Sequence, residues 1–320
     1  KQVIDIAQKY GLRFLGPNCM GILNMQLPLN LTAAPIMDRQ GPLGLISQSG
    51  TYIAQTRSYL QKRGIRLSKA ISVGNEADID LVDALEYLGN DSETCAIGLY
   101  IESIRRGAEF LETAQRISRQ KPIVAQYVGG TEAGARSGAS HTGAIAGPNN
   151  IYDGLFAQAG IIRVDSIESV YLIGHTLATQ PEPKGENIAI LTNSGGPGTA
   201  MATTLEACGL NVPTLNEDLQ AEIGKHLPGH ASTANPIDLT FHTDMHNISN
   251  LFPRLLMEDD QIDGVLIHGL IDTGWAEMVH PVYASHLEVS KEDLNQMFEI
   301  DLKDLVAMPQ QYGKPLLVSS

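Results

Sequence analysis

The chain has 320 residues, 43% of them hydrophobic, and a formal net charge of −14, which provides for packed cores and for roughly two domains of about 150 residues each. The acidic balance excludes a sequence-independent hold on nucleic acid or on an anionic membrane, since both need a surplus of Lys and Arg to displace counterions. Cys19, Cys95 and Cys208 have no metal-type spacing and leave an odd thiol, which points to a reducing, cytoplasmic setting rather than a disulfide framework.

In chain order, the opening Lys1-Gln-Val-Ile-Asp-Ile-Ala-Gln-Lys-Tyr10 reads as an amphipathic helix and not as a signal peptide. No apolar run approaches the roughly 20 residues of a bilayer span. The first residue is not Met, so a fragment of a longer protein is expected. Short β-branched runs then alternate with amphipathic stretches of helical length, the pattern of a parallel sheet with covering helices. Strands are expected at residues 43–48, 67–73, 95–101, 122–128, 161–164, 187–192, 264–268 and 315–319. A loop at residues 35–44 and the hydrophilic break Gln180-Pro-Glu-Pro-Lys-Gly-Glu186 divide the chain. The expected organisation is an α/β protein with a tail, residues 1–30, followed by two doubly wound, mostly parallel domains at 31–180 and 181–320.

The two halves read as divergent copies. Leu43-Gly-Leu-Ile-Ser-Gln-Ser-Gly50 matches Ile188-Ala-Ile-Leu-Thr-Asn-Ser-Gly195, with Ser49 and Gly50 lying 145 residues before Ser194 and Gly195. Gly64 and Gly209, which close the helices that follow, keep that offset, and Asn75-Glu-Ala-Asp78 finds a looser echo in Asn235-Pro-Ile-Asp238. Each copy sets a Ser-Gly turn between an apolar strand and a helix start, where unpaired N–H groups and the positive end of the helix dipole converge on an anion. Pro197 suits an early helical position that needs no donor. Glycine-rich turns of this kind also serve tight packing alone.

Between residues 129 and 147 glycine and alanine dominate, and the segment carries one imidazole in Ser140-His-Thr-Gly143. Long segments with so little to bury are usually functional or disordered. A histidine that carries a phosphoryl group needs access, a partner that fixes its tautomer, and donors that receive the phosphate. His141 has the first, and the Ser-Gly helix starts supply the third. Glu102, at the carboxyl end of the expected strand 95–101, is the candidate for the second, with a solvated acid paired to Arg105 or Arg106 as the alternative. His226, His230, His242 and His246 crowd one region without a repeated ligand spacing or thiolates, and no metal site is assigned there.

Six motifs occur in order: Gly16-Pro-Asn-Cys-Met-Gly21, Ser47-Gln-Ser-Gly-Thr51, Ser72-Val-Gly-Asn-Glu-Ala-Asp78, Ser140-His-Thr-Gly143, Thr192-Asn-Ser-Gly-Gly-Pro-Gly198 and Asn235-Pro-Ile-Asp238. Together they resemble, essentially end to end, the α-subunit region of the ADP-forming (NDP-forming) acyl-CoA synthetases, relatives of succinyl-CoA synthetase. The resemblance implies two flavodoxin-like domains and a reversible reaction in which acyl-CoA and phosphate give acyl phosphate and CoA. The acyl phosphate then phosphorylates a histidine, which passes the group to ADP. It implies His141 as the carrier and Glu102 as the residue that orients it. It also implies two phosphate-holding helix starts, at Ser49, Gly50 and Thr51 and at Ser194, Gly195 and Gly196. Asn18, Cys19, Gly74 and Asn75 fall near the acyl and thiol end of the CoA site, with a structural role for Cys19 equally open.

Relatives carry a Rossmann-type CoA-binding domain, of which residues 1–30 match the end, and an ATP-grasp domain or subunit that binds ADP or ATP with Mg. The resemblance therefore implies an ATP-grasp partner, a small carboxylic acid as substrate, subunit pairing, and an incomplete reaction for this chain alone. The chain departs from many relatives in having Tyr127, in the strand before the histidine loop, and Gly130, just after that strand, where they carry basic residues. A non-catalytic module of the same fold that binds acyl-CoA or phosphate is the other reading.

Overall fold

The computed structural model describes residues 2–33, 39–134, 147–242, 244–270 and 302–319, with a few further positions between 278 and 293. The chain divides into two compact units, Lys1–Thr179 and Gln180–Ser320, each with its own sheet.

The first unit opens with α1 (Gln2–Tyr10) and two short strands, β1 (Ile22–Asn24) and β2 (Leu29–Asn30). Then come β3 (Leu43–Ser47), β4 (Leu67–Ser72), β5 (Ala96–Ile101), β6 (Ile123–Tyr127) and β7 (Ile161–Val164), mutually parallel in the order β4-β3-β5-β6-β7. β1 adds antiparallel to β4 and β2 to β1, so residues 1–30 contribute strands to this sheet. The parallel order starts at the second strand, steps back to the first and then runs outward, as in flavodoxin-like folds, and leaves a crevice at the carboxyl ends of β3 and β5 where the winding reverses.

Every residue of β3, β4 and β5 is buried, because helices cover both faces of the sheet. The connecting helices are α2 (Thr51–Ala54), α3 (Arg57–Lys62), α4 (Leu81–Gly89), α5 (Gly107–Ser118), α6 (Asn149–Ala159) and α7 (Ile167–Thr179). Leu85, Phe110 and Phe156 of α4, α5 and α6 enclose Ile46 and Leu99 on one face. Ile53, Leu60 and Tyr171 of α2, α3 and α7 enclose Leu43 and Leu45 on the other. Asp80 caps α4 by accepting from the Val82 and Asp83 N–H groups, with Asp83 completing a capping box.

The second unit runs β8 (Ile188–Thr192), α8 (Gly195–Ala207), α9 (Glu217–Gly224), β9 (Ile237–Asp238), a π-helical turn at Asn247–Leu251, α10 (Phe252–Glu258), β10 (Gly264–His268), α11 (Lys303–Tyr312) and β11 (Leu316–Ser319). The sheet order β11-β10-β8-β9 is wholly parallel and repeats the reversal at the first strand seen in the first unit.

All eight expected strands are present, each bound within a residue of its expected position. β1, β2 and β9 were not anticipated. They have two or three residues each, too few to show a period, and the β1–β2 turn is held by Asn24 Oδ1 accepting from the Gln26 and Leu27 N–H groups.

Candidate functional site

At the end of β3 the Ser-Gly turn is fixed by side chain to backbone bonds: Ser47 Oγ donates to the Ser49 carbonyl at 2.6 Å and accepts from the Ser49 N–H at 3.1 Å. In the second unit Thr192 Oγ1 does the same for Ser194, at 2.7 and 3.1 Å. The next N–H reaches across to the third strand in both copies, from Gln48 to the Tyr100 carbonyl at 3.2 Å and from Asn193 to the His268 carbonyl at 3.1 Å. The 145-residue repeat read in the sequence therefore extends to individual hydrogen bonds. Gly64 and Gly209 both adopt positive φ, 66° and 82°, as helix-closing glycines do.

Four separated segments meet at the crevice of the first unit. Residues 16–20 lie along 72–77: the Gly16 N–H donates to the Val73 carbonyl, the Asn75 N–H to Pro17 and the Ala77 N–H to Gly16, at 3.2, 2.9 and 2.8 Å. Asn18 Nδ2 donates to Asn75 Oδ1 at 3.3 Å, and the Met20 N–H donates to Ser72 Oγ at 3.0 Å. Gly74 has φ of 56°, and a Cβ there would lie 2.5 Å from the Pro17 and Asn18 carbonyl oxygens. Its lack of a side chain is what allows the two turns to stack. A Cβ on Gly50 would strike Met20, which brings the Ser-Gly turn against the same segment. Cys19 is half-buried, and Cys95 and Cys208 are exposed free thiols.

Gln48, only 4% exposed, joins this turn to the end of β5. Its Oε1 accepts from the Glu102 and Ser103 N–H groups at 2.5 and 3.0 Å, and its Nε2 donates to the Ser103 carbonyl at 2.8 Å. Gln48, Gly74, Asn75, Glu76, Glu102, Ser103 and Arg105 line a small cleft open to solvent. The structure thus brings Glu102 to Gly74 and Asn75, with Asn18 bonded to Asn75 and Ser49, Gly50 and Thr51 following Gln48 in the adjoining turn. The hydrogen bonds of Arg105 go to the Asn75 and Glu76 carbonyls and those of Arg106 to Asp80 and Asp83.

Burial raises the Glu76 carboxyl above the usual range, partly offset by bonds from Gln48 and the Leu81 N–H. Burial likewise raises the Tyr100 phenol, with Tyr52 and Glu102 adding to the effect. His141, with Ser140, Thr142 and Gly143, lies outside the described residues. Tyr127 stacks on Tyr152 with ring centroids 3.5 Å apart and donates to the Gly147 carbonyl at 2.7 Å. A Cβ on Gly130 would strike the Asn149 side chain, so both departures from the basic pattern are packed into their surroundings.

The two Ser-Gly turns open unequal helices. α2 has 4 residues, whereas α8 has 13 and no side-chain cap. Gly195 and Gly196 are exposed at the α8 tip, while a Cβ on Gly195 would lie 2.6 Å from Asp238 Oδ2. Asn235 is structural: its side chain accepts from the Ile190 N–H and donates to the Ile188 and Pro213 carbonyls, at 2.9, 3.0 and 2.9 Å, standing in for a strand partner beside β8. The sequence reading missed the roles of Gln48 and Arg105. Gln48 lies inside the Ser47–Thr51 motif at a strand end, which was the available signal, whereas Arg105 was weighed only as a counter-ion for Glu102.

Two doubly wound units with matched turns at their winding reversals define a class of ligand-binding α/β protein. The family described as "Succinyl-CoA ligase like flavodoxin domain" matches residues 40–177. The α subunit of acetate–CoA ligase [ADP-forming] II from Pyrococcus furiosus is 37% identical over 295 residues, 92% of this chain and 64% of that protein. The chain also aligns with the dinucleotide forming acetyl-coenzyme A synthetase 1 of Ca. Korarchaeum cryptofilum in complex with phosphate and ADP. That match has a TM-score of 0.81 and 32% identity, and it covers 99% of this chain and 64% of that one. With its apo form the values are 0.77, 30%, 98% and 72%. The chain belongs to the ADP-forming acyl-CoA synthetase family, in its α-subunit, succinyl-CoA ligase-like region. It spans 64% of the length of the Pyrococcus furiosus relative.

Proposed function

We propose that this chain forms the phosphohistidine-bearing part of an ADP-forming acyl-CoA synthetase. A phosphate oxygen attacks the thioester carbonyl of acyl-CoA, the C–S bond breaks and CoA leaves as the thiol. A ring nitrogen of His141 then attacks phosphorus, the bond to the acyl oxygen breaks and the carboxylate leaves. Phosphohistidine finally delivers the phosphoryl group to ADP. Glu102 accepts the N–H of the other ring nitrogen, which fixes the tautomer and stabilises the cationic ring. Asn18, Cys19, Gly74 and Asn75 face the acyl phosphate and the thiol, and Ser49, Gly50 and Thr51 receive the phosphoryl group on the first unit. Ser194, Gly195 and Gly196 receive it at the α8 tip.

The observation that carries this reading is the convergence of Gln48, Gly74, Asn75 and Glu102 on one cleft at the winding reversal, from segments far apart in the chain. We assign residues 1–30 to the end of a Rossmann-type CoA-binding domain, although their strands β1 and β2 join the first unit's sheet, 31–180 and 181–320 to the two flavodoxin-like domains, and nucleotide binding to an ATP-grasp domain or partner subunit in the cytoplasm. Magnesium belongs with the nucleotide on that unit. Among the described residues no group of three or more His, Cys, Asp and Glu is arranged to hold a metal ion, and no helix is long and apolar enough to cross a membrane. Incubation with acetyl phosphate tests the reading: phosphate that is acid-labile and base-stable is expected on His141, and a folded but unlabelled protein counts against it.

A further inference from the structure

The cleft at the first winding reversal holds charges of both signs. Arg105 leaves β5 three residues after Glu102, in a segment anchored at each step: Gln48 holds the Glu102 and Ser103 N–H groups, and the Ile104 N–H donates to Tyr152 Oη at 3.1 Å. The guanidinium is set by two neutral acceptors, Nη1 on the Glu76 carbonyl and Nη2 on the Asn75 carbonyl, both at 2.9 Å. Among the described residues its ion pair is a 3.9 Å approach of Nε to Glu76 Oε2. Arg13, Arg106, Arg116 and Arg163, by contrast, have carboxylate oxygens at 3.2 Å or closer.

A guanidinium oriented by carbonyls keeps most of its charge and several N–H donors for a further anion. The Arg105 side chain is 49% exposed, against 3% for Glu76. Burial also raises the Glu76 carboxyl above the usual range, which weakens Glu76 as a competitor for that charge.

We infer that Arg105 binds the phosphoryl oxygens of the acyl phosphate, as a binding residue for which the Asn75 and Glu76 carbonyls act as the positioning frame. This rests on the proposed function and adds to it the cation that the carrier site otherwise lacks at Tyr127 and Gly130. Glu102 and Arg105 then divide the labour within one cleft, the carboxylate orienting an imidazole and the guanidinium orienting the anion it attacks.

The test is a titration of the full chain with acetyl phosphate in the His141→Ala background, where binding is read without transfer. Saturable binding is expected, weakened about tenfold or more by Arg105→Ala and to an intermediate degree by Arg105→Lys, which keeps the charge but loses the planar fork. Melting curves identify any variant that fails to fold, and the lysine variant then decides. An Arg105→Ala protein that titrates like its parent overturns the inference, as does a parent that shows no saturable binding. Saturable, Arg105-dependent binding combined with no labelling of wild-type His141 sinks the phosphohistidine reading and leaves the anion site standing.

Discussion

Glu76 carries more constraint than any other single residue of the cleft. Its φ is 52°, a left-handed conformation that costs a β-carbon-bearing residue on the order of 1 kcal/mol or more, and its carboxyl is buried against the start of α4, where Oε1 accepts from the Leu81 N–H at 2.9 Å. Burial raises its folded-state value above the reference 4.5, so between 4.5 and that raised value the native chain keeps a proton that the unfolded chain has lost. Stability is therefore fully present below 4.5 and falls as pH rises through the raised value. Glu76→Gln should melt like wild type at pH 4 and higher than wild type at pH 8; equal melting at both would refute the buried-charge account. Gly74→Ala should cost about 1–3 kcal/mol, since the new methyl meets two carbonyl oxygens at a positive φ, and chemical denaturation measures it. Glu102→Gln should slow phosphorylation on the order of 10²-fold with little change in melting, whereas a large melting drop would make that residue structural. The place of Glu102 was legible because it follows an apolar strand of a parallel sheet. Gln48 and Arg105 were not, because their roles depend on contacts 54 and 29 residues away in the chain that only the fold creates.

At the scale of elements, the central strands were readable to within a residue because a strand buried on both faces leaves a continuous apolar run. The two Ser-Gly turns were readable as copies but not as unequal partners. α2 stops after one turn, and α3 begins after Gln55 and Thr56, so the dipole at the first tip is that of a single turn, while α8 sums over 13 residues. Sequence pattern marks where a helix starts more reliably than where it breaks, and no Pro or Gly signals the break after Ala54. Under the proposed function the second tip is expected to be the stronger anion receptor, tempered by the Asp238 carboxylate beside Gly195. Asp238→Asn retains an oxygen for the Thr240 N–H, now bonded at 3.0 Å, and removes the competing charge. Phosphate affinity should rise by roughly two- to fivefold, measured by calorimetry, and unchanged affinity would place the phosphate elsewhere.

For the molecule as a whole, the repeat is the organising fact. Two copies of one doubly wound unit each carry a Ser-Gly turn at the winding reversal, and under the proposed function His141 carries the phosphoryl group. A carrier of this kind separates acyl chemistry from nucleotide chemistry, so the chain is expected to form phosphohistidine from acyl phosphate yet to make ATP from it only when an ATP-grasp unit is supplied. The most direct test is phosphate mapping by mass spectrometry after incubation with acetyl phosphate, with His141→Ala alongside. The account predicts one acid-labile, base-stable phosphate on His141 that is lost in the variant and discharged by ADP only with the nucleotide unit present. A wild-type chain that folds but stays unlabelled, or a label that persists in His141→Ala, would contradict it.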